Sequence, residues 1–309
     1  MSLDVIIIGG GPAGLTAGLY ASRARLKTLL IEKGFAGGQV MTTEWVENYP
    51  GFEEGISGAE LSQRFEKHAT KFGLDIVQGS VTEVSLKDKV KRITLENGMQ
   101  YESKTVILAT GASPKLLNIA GEGELRGKGV SYCAICDGAF FKGEKLAVIG
   151  GGDSAVEEAM FLTRFADMVY IVHRRDRFRA AMIAQERASS NPKVKFILDS
   201  VPERIEGESG VKALHIKNVK TGERTVLDVH GVFIYVGYNP NSAFLKGIVR
   251  LDDKGYIISD DKMSTSAPGV YGVGDIRAGS LKQICTAVGD GATAAMSAEK
   301  YIEHNFNED

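Results

Sequence analysis

Hydrophobic residues in this chain fall into two kinds of pattern. Residues Asp4 to Gly14, "DVIIIGGGPAG", form an unbroken apolar run that ends in glycines. That is the mark of a strand buried on both faces and passing straight into a helix. The pattern returns at "KLAVIGGGDSA", roughly 140 residues later. Each copy leads into a helical stretch, "LTAGLYASRAR" or "VEEAMFLTRF", and then into a second apolar run, "KTLLIEK" or "MVYIVHRR". These are two βαβ units, and they predict two dinucleotide sites. The second pattern is alternation. "VTEVSLKDKVKRITLENGMQYESKTVILATGAS" alternates apolar with polar residues around the hairpin signal "ENG", and "VKALHIKNVKTGERTVLDVHGVFIYVG" repeats that strand-rich character after the second unit. The plan is a Rossmann unit followed by a small β-meander, used twice: an α/β fold of two domains built on parallel sheets. Pro and Gly interrupt apolar strands at "ATGASPKLL" and "GYNPNSAFL", which places the domain boundaries there.

Composition narrows the task of such a protein. At 309 residues, 43% hydrophobic and 25% charged, the chain is long enough for about two globular domains. A net charge of -2 gives no general attraction to nucleic acid or to anionic membranes. No apolar run reaches the about eighteen residues that span a bilayer, and the start "LDVIII" lacks a basic flank and a cleavage site. A cytoplasmic protein is expected. Its three cysteines, Cys133, Cys136 and Cys285, are too few for a disulfide scaffold.

The two glycine turns lead to strand ends of opposite charge. In the first, Gly9, Gly11 and Gly14 fit GxGxxG around Pro12 and Ala13. The first glycine permits the tight turn, the second lets a pyrophosphate approach the backbone, and the third lets helix pack on strand. Glu32 ends the second strand, where a carboxylate can accept hydrogen bonds from ribose hydroxyls. In the second, Gly150, Gly152 and Ala155 form GxGxxA around Asp153 and Ser154, yet the strand ends in His173, Arg174 and Arg175, with Arg179 close behind. A carboxylate there would repel a 2′-phosphate, whereas guanidinium groups pair with one. The second nucleotide is therefore expected to be NADPH. Just ahead of this turn, Cys133 and Cys136 bracket two residues, a spacing that suits a reversible disulfide or half of a zinc site. Zinc would need two further ligands, and beyond Cys285 no cysteine or paired histidine accompanies them. Cys285, in "QICTAVGDG", reads as a buried small hydrophobe.

The ordered set "GGGPAG", "GGQ", "ENYPGF", "ATGA", "CAICDG", "GGGDSA", "HRRDRFR" and "GVYGVGDI" resembles the low-molecular-weight, bacterial-type thioredoxin reductases, which are NADPH-dependent flavoproteins. The resemblance runs from about residue 3 to the end. Larger glutathione-reductase-like relatives carry CxxxxC near the first nucleotide motif and a C-terminal dimerisation domain, and both are missing here. The resemblance implies an FAD domain in two parts, 1–113 and 244–309, with an NADPH domain carrying the CxxC, 114–243, inserted between them. It places Gly38, Gln39 and Asn48 near the flavin or its ribityl chain, brings Thr110 and Gly111 up from a strand end, and gives Gly274 and Asp275 the ribityl hydroxyls. Lys282 and Gln283 stand where many relatives have Arg-Gln, and lysine lacks the planar fork of arginine.

For the reaction, the resemblance implies that Cys136 faces the flavin, Cys133 attacks the substrate disulfide and Asp137 acts as general acid-base. It further implies thioredoxin as partner, a homodimer, and rotation of the inserted domain about the two Pro/Gly crossings. Relatives of the same fold that oxidise small dithiols with oxygen, or take electrons from ferredoxin, tend to lose the NADPH motifs. Here "GGGDSA" and "HRRDRFR" are intact. A redox sensor that only bound the two nucleotides would need no exposed dithiol.

Overall fold

The structure is a computed structural model that describes residues 3–43, 46 and 48–306, with the side chains of Thr42, Ile135 and Cys136 outside the description. The chain begins with strand β1 (Leu3–Ile8), helix α1 (Pro12–Arg23), β2 (Thr28–Glu32), α2 (Gly58–Thr70) and β3 (Asp75–Gln78). A meander of β4 (Val81–Ser85), β5 (Lys91–Leu95) and β6 (Gln100–Leu108) comes next, then the short β7 (Ala112–Pro114). The middle of the chain forms β8 (Val130–Ser131), α3 (Ala134–Asp137), β9 (Lys145–Gly150), α4 (Asp153–Leu162), β10 (Met168–Val172), α5 (Met182–Ser189) and β11 (Val194–Ile197). After it lie β12 (Ser200–Gly207), β13 (Val211–Asn218), β14 (Arg224–Asp228), β15 (Gly231–Tyr235) and β16 (Tyr238–Pro240). The chain closes with β17 (Val270–Gly272) and α6 (Ile284–Phe306).

Two compact units result. The first holds residues 1–113 and 239–309, the second Pro114–Tyr238. The chain leaves the first unit through β7 and returns through β16, and these two strands pair with each other. The return crossing therefore lies at Tyr238/Asn239, earlier than the 243/244 boundary expected from sequence. The reason is that Asn241 already belongs to the first unit, where its amide donates to the Thr110 carbonyl at 2.8 Å.

In the first unit β1, β2, β3, β6 and β17 run parallel, with β2 and β6 flanking β1. Strand β6 is long enough to serve two neighbours on one side. Its start pairs antiparallel with β5 and its end pairs parallel with β17. Both faces of the sheet are covered, which explains the continuous apolar run. Val5 and Ile7 join Leu30 and Ile107 under α1 and α6, while Ile6 and Ile8 join Leu29, Ile31 and Leu108 on the other face. Each such side chain contributes about 1.5–3 kcal/mol by leaving water. Helix α6 comes close to α1 because Gly291 has no side chain; a Cβ there would lie 2.2 Å from the Ala13 carbonyl oxygen.

The second unit repeats the parallel core, in the order β11-β10-β9-β15-β8. Its α4 covers Leu146, Val148, Val169 and Phe233 on one face. The other face, with Ala147, Ile149 and Val232, is covered by the antiparallel sheet β12-β13-β14. The second meander is thus a separate layer, whereas the first is an extension of the main sheet. Among the described residues no helix is long and apolar enough to cross a membrane.

Candidate active site

The first glycine turn has the three roles its spacing predicts. Gly9 has φ +106°, and a Cβ on it would lie 2.4 Å from the Ala109 carbonyl oxygen. A Cβ on Gly14 would sit 1.9 Å from the Gly9 carbonyl oxygen, so only glycine lets α1 start this close to β1. Gly11 is different, because a Cβ there meets nothing nearer than Gly38 at 4.0 Å. The turn is therefore open on the side where the first helical N–H groups point. Pro12 opens the helix and no side chain caps it, leaving those donors for a bound anion. Glu32 turns back onto the turn: its Oε2 accepts the Gly10 N–H at 2.7 Å and its Oε1 the Gly34 N–H at 3.0 Å. These bonds hold the carboxylate at the end of β2.

Around this turn the expected residues are held by partners far away in sequence. The side-chain amide of Gln39 donates to the Ala112 carbonyl. Thr110 Oγ1 donates to the Asn241 carbonyl at 2.9 Å, so the end of β6 is tied to the return crossing next to Gly111. Asn48 Nδ2 donates to Gln283 Oε1 at 3.0 Å, although 235 residues separate them. The Asp275 carboxyl is buried, which raises its pKa above the usual carboxylate range; the Lys282 ammonium pulls it down and the Asp290 carboxylate pushes it further up. Lys282 has a left-handed backbone and carries its ammonium over the Tyr256 ring, 5.2 Å from the centroid.

Sequence reasoning missed Asp290. It is 6% exposed, accepts the Gly274 N–H at 3.0 Å, and takes a two-pronged pair from Arg277 at 2.6 and 3.0 Å. The Gly274-Asp275 turn is thus fixed from behind by an ion pair between a half-buried arginine and a buried aspartate. The only available signal was an aspartate amid the small residues of "TAVGDGA".

The second glycine turn has the same backbone plan with other chemistry. A Cβ on Gly152 meets nothing within 4 Å, and α4 also starts without a side-chain cap. Gly150 lies against the Ala155 Cβ, at 2.6 Å from where its own would be. His173 fills the space over Gly151, where a Cβ would lie 2.2 Å from the His173 Nδ1. Its ring is 6% exposed and stacks on Phe178 at 5.4 Å. Burial lowers its pKa, and the charges of Arg179, Arg174 and Arg175 lower it further.

Those three arginines are exposed, and among the described residues none takes part in an ion pair. Their loop is held to the turn by two bonds, Arg179 N–H to the Gly151 carbonyl and Ala181 N–H to Asp153 Oδ1, both 2.7 Å. Asp153 therefore fastens the loop, while Ser154 is exposed beside it.

Ahead of this turn, Cys133 is disulfide-bonded and leads into α3. Its N–H donates to Ser131 Oγ at 3.0 Å, and the next amide, Ala134 N–H, donates to the Tyr235 hydroxyl at 2.5 Å. Asp137 closes the turn, its N–H donating to the Cys133 carbonyl at 3.2 Å. The expected partner, Cys136, lies on α3 with its side chain outside the described part of the structure. Cys285 corrects the sequence expectation. It is an exposed free thiol near the start of α6, ahead of Ala287, where the buried residues of that helix begin.

Comparison with known proteins decides the family. The pyridine nucleotide-disulphide oxidoreductase family profile matches residues 3–291. The thioredoxin reductase of Peptoclostridium acidaminophilum is 49% identical over 311 residues, covering 99% of this chain and 98% of that one. The chain belongs to the thioredoxin reductase family. The thioredoxin reductase of Bacillus subtilis (strain 168) is 49% identical over 301 residues, covering 97% and 95% of the two chains. The crystal structure of Lactococcus lactis thioredoxin reductase, FR conformation, superposes with a TM-score of 0.80 at 47% identity, covering 98% of this chain and 100% of that one. Membership makes this chain a flavoprotein oxidoreductase that uses a flavin and a pyridine nucleotide. Both fit what the glycine turns offer: two open, uncapped helix starts, one beside a carboxylate and one beside three free guanidinium groups.

Proposed function

We propose that this chain carries electrons from NADPH, by way of FAD on the first unit, to a Cys133/Cys136 disulfide and on to oxidised thioredoxin. The strongest support is the disulfide-bonded Cys133 standing just ahead of a nucleotide turn whose arginines are unpaired and exposed. NADPH and FAD supply the hydride and electron-transfer chemistry, and the chain binds, orients and shields.

In the first unit Gly9, Gly11 and Gly14 admit the diphosphate of FAD, Glu32 accepts its ribose hydroxyls, and Asp275 accepts those of the ribityl chain. Gly38, Gln39, Asn48, Thr110, Lys282 and Gln283 line the flavin side. In the second unit Gly150, Gly152 and Ala155 admit the NADPH diphosphate, and Arg174, Arg175 and Arg179 pair with the 2′-phosphate. His173 acts as a buried wedge that sets the arginine loop.

Once reduced, Cys133 attacks the thioredoxin disulfide as a thiolate. One thioredoxin sulfur joins Cys133 and the other leaves, taking a proton from Asp137. Cys136 then attacks the Cys133 sulfur of the mixed disulfide, which re-forms the Cys133–Cys136 bond and expels the thioredoxin sulfur, releasing reduced thioredoxin. A cytoplasmic homodimer accompanies this reading, with the β7 and β16 crossings as hinges.

The test is a pair of variants. Cys136→Ser keeps hydride transfer from NADPH to flavin, loses turnover with thioredoxin, and accumulates a mixed disulfide that dithiothreitol releases on a non-reducing gel. Cys133→Ser forms no such adduct. Trapping by Cys133→Ser would reverse the two roles, and full turnover by both variants would remove the disulfide from the mechanism.

A further inference from the structure

Glu158 lies on α4, in the second turn of the helix that begins at the second glycine motif. Its Oε2 is shut off from solvent and has no hydrogen-bond partner. Among the described residues no lysine, arginine or histidine pairs with it. A carboxylate left in this state costs several kcal/mol, and nothing in the nucleotide chemistry of the two glycine turns uses it. It lies close to groups that do have a task.

Helix α4 packs on α3, the turn that starts after Cys133; a Cβ on Gly138, just past that turn, would lie 2.9 Å from Leu162 of α4. Tyr235, at the end of β15, links the two helices. Its hydroxyl accepts the N–H of Ala134, the residue after the disulfide-bonded cysteine, and its phenol feels the charge of Glu158. Tyr235 also feels Tyr238 and Asp137, and burial together with these groups pushes its pKa well above the usual phenol range. Glu158 feels the charge of the exposed Glu157, its neighbour on the same helix, and burial followed by that charge pushes its carboxyl up to about 7. No charged group of α5, β9 or β10 figures among these influences.

We propose that Glu158 is the redox-linked proton site of the second unit: it takes up a proton when the disulfide at Cys133 is reduced and returns it on reoxidation, with Tyr235 as the link. The inference rests on the proposed reductase function, which supplies the electrons. The step balances. Two electrons break the S–S bond and make two thiolates; one proton from solvent converts one of them to a thiol, and a second proton converts the Glu158 carboxylate to the acid. The unit keeps the same net charge in both states. Without the second proton, reduction would add negative charge to a unit that already holds a buried carboxylate on the helix next to α3, and like charges in a low-dielectric interior disfavour each other. Glu158 acts through Tyr235 on the sulfurs, so it is a positioning residue for charge.

The test is the disulfide midpoint potential as a function of pH. The whole protein is equilibrated in dithiothreitol redox buffers and read by maleimide labelling of thiols. Above about pH 7 the wild type takes up one more proton per two electrons than the Glu158→Gln variant. That extra proton is a tenfold change in equilibrium constant per pH unit, about 30 mV. Glu157→Gln keeps the extra slope and moves its onset to lower pH. The wild type alone gives a second measurement: reduction at alkaline pH raises the infrared carbonyl band of a protonated carboxyl.

Equal slopes in wild type and Glu158→Gln, or no new carbonyl band, would overturn the inference. Should Glu158→Gln fail to fold, the infrared band in the wild type decides. If the wild type shows no disulfide that titrates in this way, the reductase reading itself falls.

Discussion

The strand–glycine turn–helix device is built twice in this chain, and the copies part at two positions. The residue that seats the helix is Gly14 in the first unit and Ala155 in the second. In the first, the helix approaches a backbone carbonyl and leaves no room for a Cβ. In the second, the Ala155 Cβ is accommodated and Gly150 gives up the space instead. The residue after the second strand differs more. Glu32 turns back and accepts the Gly10 N–H, while His173 stacks its ring over Gly151 and leaves the charge to Arg174, Arg175 and Arg179 outside. The glycine turn is common property, and in the proposed function the end of the neighbouring strand is what chooses the nucleotide.

The largest expected effect breaks the comparison at the arginines. Arg174→Ala with Arg175→Ala removes charge-assisted bonds worth about 1.5–3 kcal/mol each. The KM for NADPH is expected to rise by about a hundredfold or more while that for NADH barely moves, and steady-state kinetics with both nucleotides check this. An equal effect on both would remove the 2′-phosphate assignment. Next is Gly14→Ala, expected to cost about 3 kcal/mol because the new Cβ meets a backbone oxygen. The reverse change, Ala155→Gly, costs about 1 kcal/mol of helix propensity. Urea denaturation of both variants, with bound flavin measured in parallel, compares the two turns directly.

Glu32→Gln is a smaller change. The amide oxygen can keep one N–H partner and loses the charge, so flavin affinity is expected to fall by about 1–2 kcal/mol with NADPH binding unchanged. Equilibrium dialysis of flavin measures it. The smallest effect sharpens the comparison through pH. His173 has a lowered pKa in the folded protein, so below its unfolded value of 6.5 the unfolded chain binds more protons than the folded one. Stability of the second unit is therefore full above that value and declines as pH falls through it. His173→Gln flattens this decline, which denaturation across that pH range measures.

Much of this was legible because it is local. The hairpin at "ENG" forms between β5 and β6, with the Met99 N–H held by Asn97 Oδ1 at 3.0 Å and Gly98 at φ +81°. Helix α2 had a readable start as well: Ser57 caps the Glu60 N–H at 3.2 Å, the S-x-x-E signal of "SGAE", which the reading by apolar runs passed over. The meanders look alike in sequence, yet one extends a sheet and the other covers one. That difference depends on which apolar face lacks a cover, and no single segment carries it.

The sequence by itself determined the two parallel strands, their glycine turns and the acidic or basic end of each, because backbone sterics and strand patterning act within a few tens of residues. Tertiary structure alone decided what is buried and who faces whom. Asn48 meets Gln283 across 235 residues, and Arg277 finds Asp290 under the Gly274 turn. Cys285 faces outward although its type is commonly buried. Glu158, one of two adjacent glutamates, loses water while Glu157 keeps it. Burial is set by elements that arrive from elsewhere in the chain, and with burial come the desolvation and charge effects that turn an ordinary carboxyl or thiol into a functional one.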